Sequence, residues 1–326
     1  MINNKYIDLF NKIKKNLIER INSPGKFKIT PADKFKLITN LNENHILRFP
    51  NKFYLKKLYK YSFNKKLDLE NPKSFSEKLQ WLKLYDRNPE YTKMVDKYEA
   101  KKYVADIIGK EYIIPTYGIY NNFDDIDFNS LPNQFVIKCT HTSGDIIICY
   151  DKNCFDINIA RQLVNKTLKR DYYNHSLEWP YKDVKPRIII EKYMGGNEQK
   201  KLVNFKFFCF NGMPKFLYIG QYTDNKTKSS FNFMDLDYKE MSVSRMDFAK
   251  SDIIPDKPTN FEKMKELAQI LSKNTTFIRV DFYEVNGKIY FSELTFFPHS
   301  GFIPFTPEKY DEIFGEMLEL PKKKEK

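Results

Sequence analysis

The sequence predicts an α+β fold. Helix and strand patterns follow one another along 326 residues without the regular alternation that a doubly wound parallel sheet requires. Two tight-turn signals, Asn211-Gly212 and Asn286-Gly287, each lie between aromatic and β-branched runs and read as hairpins. With 41% hydrophobic and 16% aromatic residues, the chain has the material for a substantial core and is not disordered.

From residue 1 to about 67 the chain is basic and helical in pattern, with Ile7, Phe10, Ile13 and Leu17 on one helical face. Ser74 stands three residues before Glu77, a capping box that opens a helix carrying Leu79, Trp81, Leu82 and Tyr85 toward the core. Residues 95–108 read as a further helix, rich in lysine at Lys97, Lys101 and Lys102. An acidic, Asn-rich loop at 121–129 follows. Strands at 135–139 and 145–150 are joined by the turn Thr140-His141-Thr142-Ser143-Gly144. Next come a helix over 157–170, an apolar strand over 186–193 and the hairpin 205–211/215–221. A helix over 260–273 and the hairpin 277–283/287–295 complete the order. The sequence holds no internal repeat and no Pro/Gly-rich linker, so any domain boundaries are compact.

Formal charge is +13, from 55 Lys+Arg against 42 Asp+Glu, which implies anionic partners. The basic residues are spread out and no zinc-finger or RNA-recognition signature accompanies them, so nucleic acid is not expected. No run reaches the length of a membrane-spanning helix, and residues 1–20 are too charged for a secretory signal. The cytoplasm is therefore the expected location. The basic tail at 322–326 reads as a solvated end or a weak membrane-surface contact. Four cysteines without a CxxC pair, with four histidines, argue against structural zinc and for reduced, mostly buried thiols.

The last hairpin carries the strongest chemical signal. Asp281 lies on its first strand and Glu293 on its second, with Arg279 two residues before the aspartate. A carboxylate among such neighbours is costly to bury unless it meets a cation. The pair reads as a magnesium clamp on a polyphosphate, or as the solvated face of an alternating hairpin. Lys138 ends a strand just before a turn of small hydroxyl residues and glycine. That suits phosphate, whose oxygens the ammonium and the turn N–H groups can meet, although an exposed strand-end lysine looks the same. Residues 188–194 read as a buried strand, or as a hinge offering backbone groups to an adenine edge with Glu191 accepting from an amino or ribose hydroxyl group. Lys206 places another cation in an aromatic strand, where it needs an anion. Neither GxxxxGK[ST] nor GxGxxG is present. Asp235-Leu236-Asp237 fits the DxD pattern of a metal-dependent glycosyltransferase, or is a strand-to-turn segment.

The order of these parts resembles the layout of the ATP-grasp superfamily. More closely, five segments resemble the TupA-like ATP-grasp family, over about residues 71–321. They are Asn71-Pro72-Lys73-Ser74-Phe75, Lys78-Leu79-Gln80-Trp81-Leu82-Lys83, Trp179-Pro180-Tyr181, Lys206-Phe207-Phe208-Cys209-Phe210-Asn211-Gly212 and Phe291-Ser292-Glu293-Leu294-Thr295-Phe296. The resemblance implies an ATP-grasp fold, two α+β lobes gripping ATP, with a mainly helical N-terminal region at 1–90. The first lobe, with its phosphate loop, would span 91–190, the second, with its metal site, 191–321, and the basic tail 322–326.

Carried over residue by residue, the resemblance implies Lys97 and Lys138 as the two nucleotide lysines. His141, Thr142, Ser143 and Gly144 would form the phosphate loop, and Glu191 and Tyr193 the hinge for adenine and ribose. Lys206 and Arg279 would neutralise phosphate and acyl phosphate. Asp281 and Glu293 would bind Mg²⁺, with Thr295 where many ATP-grasp enzymes carry a ligand asparagine. Two positions depart from the family pattern, which has glycine at Asp145 and aspartate at Asn204. Ser300-Gly301 after Pro298 resembles a substrate-side turn. The implied activity is an ATP-dependent carboxylate–amine ligase working through an acyl phosphate, with ATP and Mg²⁺ as cofactors. The family's association with bacterial surface-polysaccharide and teichuronopeptide gene clusters implies small-molecule substrates. The acid would be a uronate on a sugar nucleotide or polysaccharide precursor, and its partner an amino acid or small amine.

Overall fold

The computed structural model describes residues 30–195, 202–221 and 229–323. The amphipathic segment at 7–17 and the end of the basic tail lie outside the described residues. Five helices come first: α1 (Pro31–Glu43), α2 (Asn51–Phe63), α3 (Phe75–Tyr85), α4 (Glu90–Val95) and α5 (Glu99–Ile108). The smaller lobe follows with β1 (Thr116–Tyr120), β2 (Phe135–Cys139), β3 (Ile147–Cys149), α6 (Ile157–Leu168), α7 (Tyr172–Ser176) and β4 (Ile188–Lys192). The larger lobe holds β5 (Val203–Phe210), β6 (Met213–Gln221), β7 (Ser230–Asp235), β8 (Ser244–Arg245), α8 (Phe261–Ser272), β9 (Phe277–Val285), β10 (Lys288–Thr295), β11 (Phe305–Thr306) and α9 (Lys309–Glu316).

Local chemistry explains most boundaries. The Ser74 hydroxyl accepts from the Glu77 N–H and the Glu77 carboxylate accepts from the Ser74 N–H, so α3 begins on the expected capping box. The helix expected over 95–108 is broken. Asp96 breaks it: Oδ1 accepts from the N–H groups of Tyr98 (2.8 Å) and Glu99 (3.2 Å), while Oδ2 meets Arg187 Nη2 at 2.8 Å. A side chain that caps one helix end competes with continuation of the helix before it. Lys97 is thereby placed in the break between α4 and α5. The strand expected over 145–150 shortens to β3, because Asp145 takes a φ of 51°, a left-handed value foreign to strands.

Both main sheets are antiparallel. The smaller has the order β1-β4-β2-β3. α6 sets Ala160 and Val164 against Phe135, Ile137, Ile188 and Ile190, giving this lobe a core of its own. The larger sheet has the order β10-β9-β5-β6-β7, and β8 pairs with β11 beside it. Helices from Tyr54 onward share the large-lobe core, with Leu58, Leu79, Val104 and Leu318 all in it.

Alternation along β5 and β9 sorts the large sheet into two faces. Phe205, Phe207, Val280 and Phe282 go to the face covered by α8, where the Phe207 and Phe261 rings lie 5.8 Å apart. On the opposite face Phe210 and Phe277 pack on Phe75 of α3, and Phe216 stacks on Phe314 of α9 at 4.2 Å. Lys206, Arg279 and Asp281 stand further along that second face. The α3–α9 contact is close because residue 315 is glycine: a Cβ there would lie 2.1 Å from the Lys73 carbonyl oxygen. Asp311 of α9 accepts from both the N–H and the hydroxyl of Ser76, each at 2.9 Å. Cys139, Cys149 and Cys209 are buried free thiols and Cys154 is an exposed one. No helix among the described residues is long and apolar enough to cross a membrane.

Candidate functional site

The site begins with the register of β9 and β10. Asn286 (φ 52°) and Gly287 (φ 70°) turn the chain with the left-handed geometry suited to a two-residue hairpin. Pairing runs regularly from Lys288↔Val285 to Phe291↔Phe282. A bulge then inserts Ser292, and pairing resumes as Glu293↔Asp281 and Thr295↔Arg279. On the other side of β9, Lys206 of β5 is paired with Asp281. Five predicted site residues therefore share one face: Lys206, Arg279, Asp281, Glu293 and Thr295.

Their side chains form one network. Arg279 donates to both Asp281 oxygens at 2.7 Å, to Glu293 Oε1 at 2.6 Å, to Thr295 Oγ1 at 3.0 Å and to the Tyr218 hydroxyl at 2.9 Å. Lys206 Nζ pairs with Asp281 and lies 3.7 Å from Glu293 Oε1. Arg279, Asp281 and Lys206 are buried, whereas the Glu293 side chain keeps 39% of its surface open. Desolvation alone would raise Glu293, but Lys206, Arg279 and Lys97 together hold its carboxyl down to about 2. Complete burial pushes Asp281 up against the opposing pull of Arg279 and Lys206.

The smaller lobe supplies a second cluster. Lys138 Nζ lies 2.6 Å from Glu191 Oε2, and Lys101 pairs with Glu191 Oε1. Lys101 also donates to the Ile114 carbonyl at 2.6 Å and Thr116 Oγ1 at 3.0 Å. Burial opposes the Glu191 charge, yet Lys138 and Lys101 hold its carboxyl down to about 2. The Glu191 side chain thus meets two lysines. Lys97 donates to the Thr142 carbonyl. Burial lowers the Lys97 ammonium, and the charges of Glu293 and Lys138 both reach it.

The predicted phosphate loop divides in two. Ser143 and Gly144 are exposed, while His141 and Thr142 are buried. His141 lies against the backbone of Thr167 and Arg170, and burial lowers its imidazole. Asp145, at the family's glycine position, takes the left-handed φ that glycine adopts freely and aspartate tolerates, with its carboxylate 2.6 Å from Arg170 Nη1. Tyr193 meets Tyr150 edge-on at 5.3 Å.

The expected turn at Ser300-Gly301 has supports that the sequence did not reveal. Residues 298–301 form a tight turn in which His299 (φ 49°), Ser300 (φ 57°) and Gly301 (φ 65°) are all left-handed. Such a run of backbone strain persists only when its surroundings over-determine it. Gln80 Nε2 donates to the carbonyls of Gly301 (3.0 Å) and Ser300 (3.2 Å), and Lys83 Nζ donates to those of Ser300 and Ser176, both at 2.8 Å. Ser300 Oγ donates to Glu178 Oε1 at 2.5 Å. Desolvation pushes the Lys83 ammonium down to about 7. Tyr172 and Tyr181, edge-on at 4.7 Å, also come within reach of the Glu293 charge. The signal for Lys101 was available: a glutamate in the apolar strand 188–192 demands a buried cation.

The donor set is of the type magnesium takes, and here Arg279 and Lys206 occupy both Asp281 oxygens. Asp281, Glu293 and Thr295 offer hard oxygens, and buried Asn204 has an Oδ1 with no hydrogen-bond partner. Mg²⁺ takes one or two carboxylates and completes its shell with water and phosphate, so it needs no protein cage. Among the described residues no group of three or more His, Cys, Asp or Glu converges. Asp235 is otherwise engaged: its Oδ1 accepts from the N–H groups of Asp237 (2.9 Å) and Lys239 (2.8 Å), closing the turn after β7.

One antiparallel sheet holds paired lysines and the other a carboxylate–arginine cluster, an arrangement consistent with an ATP-grasp protein. The chain belongs to the TupA-like ATP-grasp family, whose model matches residues 77–319. No curated protein matches the chain. Among solved structures it is similar to D-alanine–D-alanine ligase from Bacillus anthracis complexed with ATP (17% identity, TM-score 0.35), over 62% of this chain and 54% of that one. It is also similar to D-alanine–D-alanine ligase from Helicobacter pylori (15% identity, TM-score 0.40), over 77% and 70% of the two chains. A third is the ATP-grasp ligase PsnB complexed with a phosphomimetic variant of its minimal precursor, Mg and ADP (9% identity, TM-score 0.38, 68% and 57%). The match spans about half the length of the B. anthracis ligase, and membership rests on the family match alone.

Proposed function

We propose that the protein is an ATP-dependent carboxylate–amine ligase. A substrate carboxylate oxygen attacks the terminal phosphorus of ATP, breaking its bond to the ADP oxygen and giving an acyl phosphate. The amine nitrogen then attacks the acyl carbon, phosphate departs, and the nitrogen releases a proton to leave an amide. The observation that carries this reading is the Arg279 network: one guanidinium reaches Asp281, Glu293 and Thr295 while Lys206 sits beside it. In this reading Arg279 and Lys206 offset negative charge on the phosphoryl and acyl oxygens, and Lys97 and Lys138 hold the nucleotide phosphates. Mg²⁺, held by Asp281, Glu293 and Thr295, supplies further charge neutralisation at phosphate oxygens when bound. Tyr193 and the backbone of residues 191–194 take the adenine and ribose side, and Ser143 and Gly144 close over phosphate. The acid is a uronate on a sugar nucleotide or polysaccharide precursor, which suits a chain of formal charge +13. The setting is surface-polysaccharide assembly on the cytoplasmic side, where ATP and sugar nucleotides are found.

Incubation with ATP, Mg²⁺, UDP-glucuronate and a pool of amines tests the reading. ADP and phosphate release that requires both acid and amine supports it, whereas UDP release without ATP consumption would replace it with a glycosyltransferase. Glu293→Gln should lower turnover by roughly a thousandfold, the scale of losing a main electrostatic group. Near-normal turnover in that variant removes the metal assignment. Asp281→Asn is a poorer test, since unbalancing a buried charge cluster costs about 3–5 kcal/mol of stability by itself.

A further inference from the structure

We propose that the exposed face of α2, with the basic tail beside it, docks the protein on an anionic phospholipid membrane. The proposal is independent of the ligase reading above. α2 buries Tyr54, Leu55, Leu58 and Tyr59 and turns Lys52, Phe53, Lys56, Lys57 and Lys60 to solvent. From Asn44 to Leu67 the sequence holds one arginine and six lysines and no aspartate or glutamate. Of these seven cations, Lys65 alone forms an ion pair among the described residues, with Glu308. The charges of Asp68 and Glu70 reach Lys56 and Lys52, and with Arg48, Lys57 and Lys60 added the face stays positive.

Two further observations select a membrane as the occupant. The basic tail meets this face: Lys52 Nζ stands 5.7 Å and Lys323 Nζ 4.5 Å from the centre of the Tyr85 ring, which brings exposed Lys322 and Lys323 up to α2. Apolar side chains also project among the cations, with Leu47, just before α2, 48% exposed and Phe53 47% exposed. Phe53 leans on Phe49 at 6.0 Å, Phe49 stacks on buried Tyr54 at 5.9 Å, and Lys57 Nζ lies 5.3 Å from the Phe53 ring. The ring is thus fixed to the core on one side and open on the other. A bilayer surface takes both kinds of group, acidic headgroups meeting the ammonium ions and the acyl boundary meeting Leu47 and Phe53. Nucleic acid would meet the charges and leave Leu47 in water. Lysine supplies nearly all of the charge, so the face is a field of point charges and not a bidentate pocket for one anion.

Vesicle co-sedimentation with the full-length protein tests this. The protein should pellet with phosphatidylcholine vesicles carrying roughly 30% phosphatidylglycerol and stay in solution with phosphatidylcholine alone. Raising NaCl from ~0.1 to ~1 M shortens the screening length from about 10 to about 3 Å and should release most of the bound protein. The triple variant Lys52→Gln/Lys56→Gln/Lys57→Gln should lower the partition coefficient by ~10²-fold, about fivefold per lysine. Phe53→Ser should lower it about tenfold, the scale of partly burying one such side chain. Every substituted side chain is exposed, so melting temperatures should hold. Equal binding to neutral vesicles, no binding to acidic ones, or binding that survives both variants overturns the proposal. Retention on duplex DNA at a salt concentration that frees the protein from vesicles would assign the face to nucleic acid and overturn it too. A dimer that Phe53→Ser dissociates would overturn it in favour of a second copy of the chain.

Discussion

Glu293 lies directly across the β9–β10 ladder from Asp281, one residue out of the register that the Asn286-Gly287 turn sets. Counted from that turn, Asp281 would face Ser292. The bulge at Ser292 moves the strand on by one position, and since side chains alternate, that single residue decides which carboxylate joins the Arg279 network.

The exchange Ser292→Glu/Glu293→Ser keeps composition and charge while moving the carboxylate by one position. Turnover should fall by about a hundredfold or more, in line with the loss of a positioned electrostatic group, and the melting temperature should change little. ATP hydrolysis or ligation assays beside thermal melts decide it. Retained turnover in the exchanged protein would mean that the bulge does not select the functional carboxylate.

Glu191 gives the protein an acid-sensitive joint. Its carboxyl lies at about 2 in the folded protein against 4.5 ordinarily, because Lys138 and Lys101 outweigh the effect of its burial. Between those values the unfolded chain binds more protons, so the Glu191 contribution is complete above pH 4.5 and disappears as pH falls toward 2. The shift corresponds to about 3 kcal/mol. The stability difference between wild type and Glu191→Gln, from urea unfolding across this range, should shrink by that order on acidification. A difference that stays flat would contradict the buried lysine–glutamate arrangement.

Lys83 holds the left-handed turn from beneath. Lys83→Met removes the lysine's bond to the Ser176 carbonyl and leaves the Ser300 carbonyl with Gln80 alone, and an unsatisfied buried acceptor costs about 1–3 kcal/mol. Urea unfolding should show a loss of roughly 1–3 kcal/mol. An unchanged midpoint would show that the turn stands without this lysine.

Much of the site was legible in the chain because its signals are local. Asn286-Gly287 announces a hairpin, Ser74 with Glu77 announces a helix start, and lysine or aspartate among strand aromatics announces a charge that must find a partner. The features that were not legible all depend on distant residues. Asp96 breaks a helix partly through Arg187, 91 positions away. Lys101 looked like its neighbours Lys97 and Lys102 until Glu191 came to face it. Gln80 and Lys83 stood only within a family-like segment, and the turn more than 200 positions later shows what they bind.

The sequence by itself determined the α+β class and both hairpins, which follow from residue type and short spacing, and its motifs pointed to the family and to the cations and carboxylates of the candidate site. Tertiary structure alone decided which of those charges meet. Burial removes water as the competing partner, so a one-residue bulge, a helix break and a strained turn could settle the pairing of Asp281 with Arg279, Glu191 with Lys138, and Lys83 with the Ser300 carbonyl.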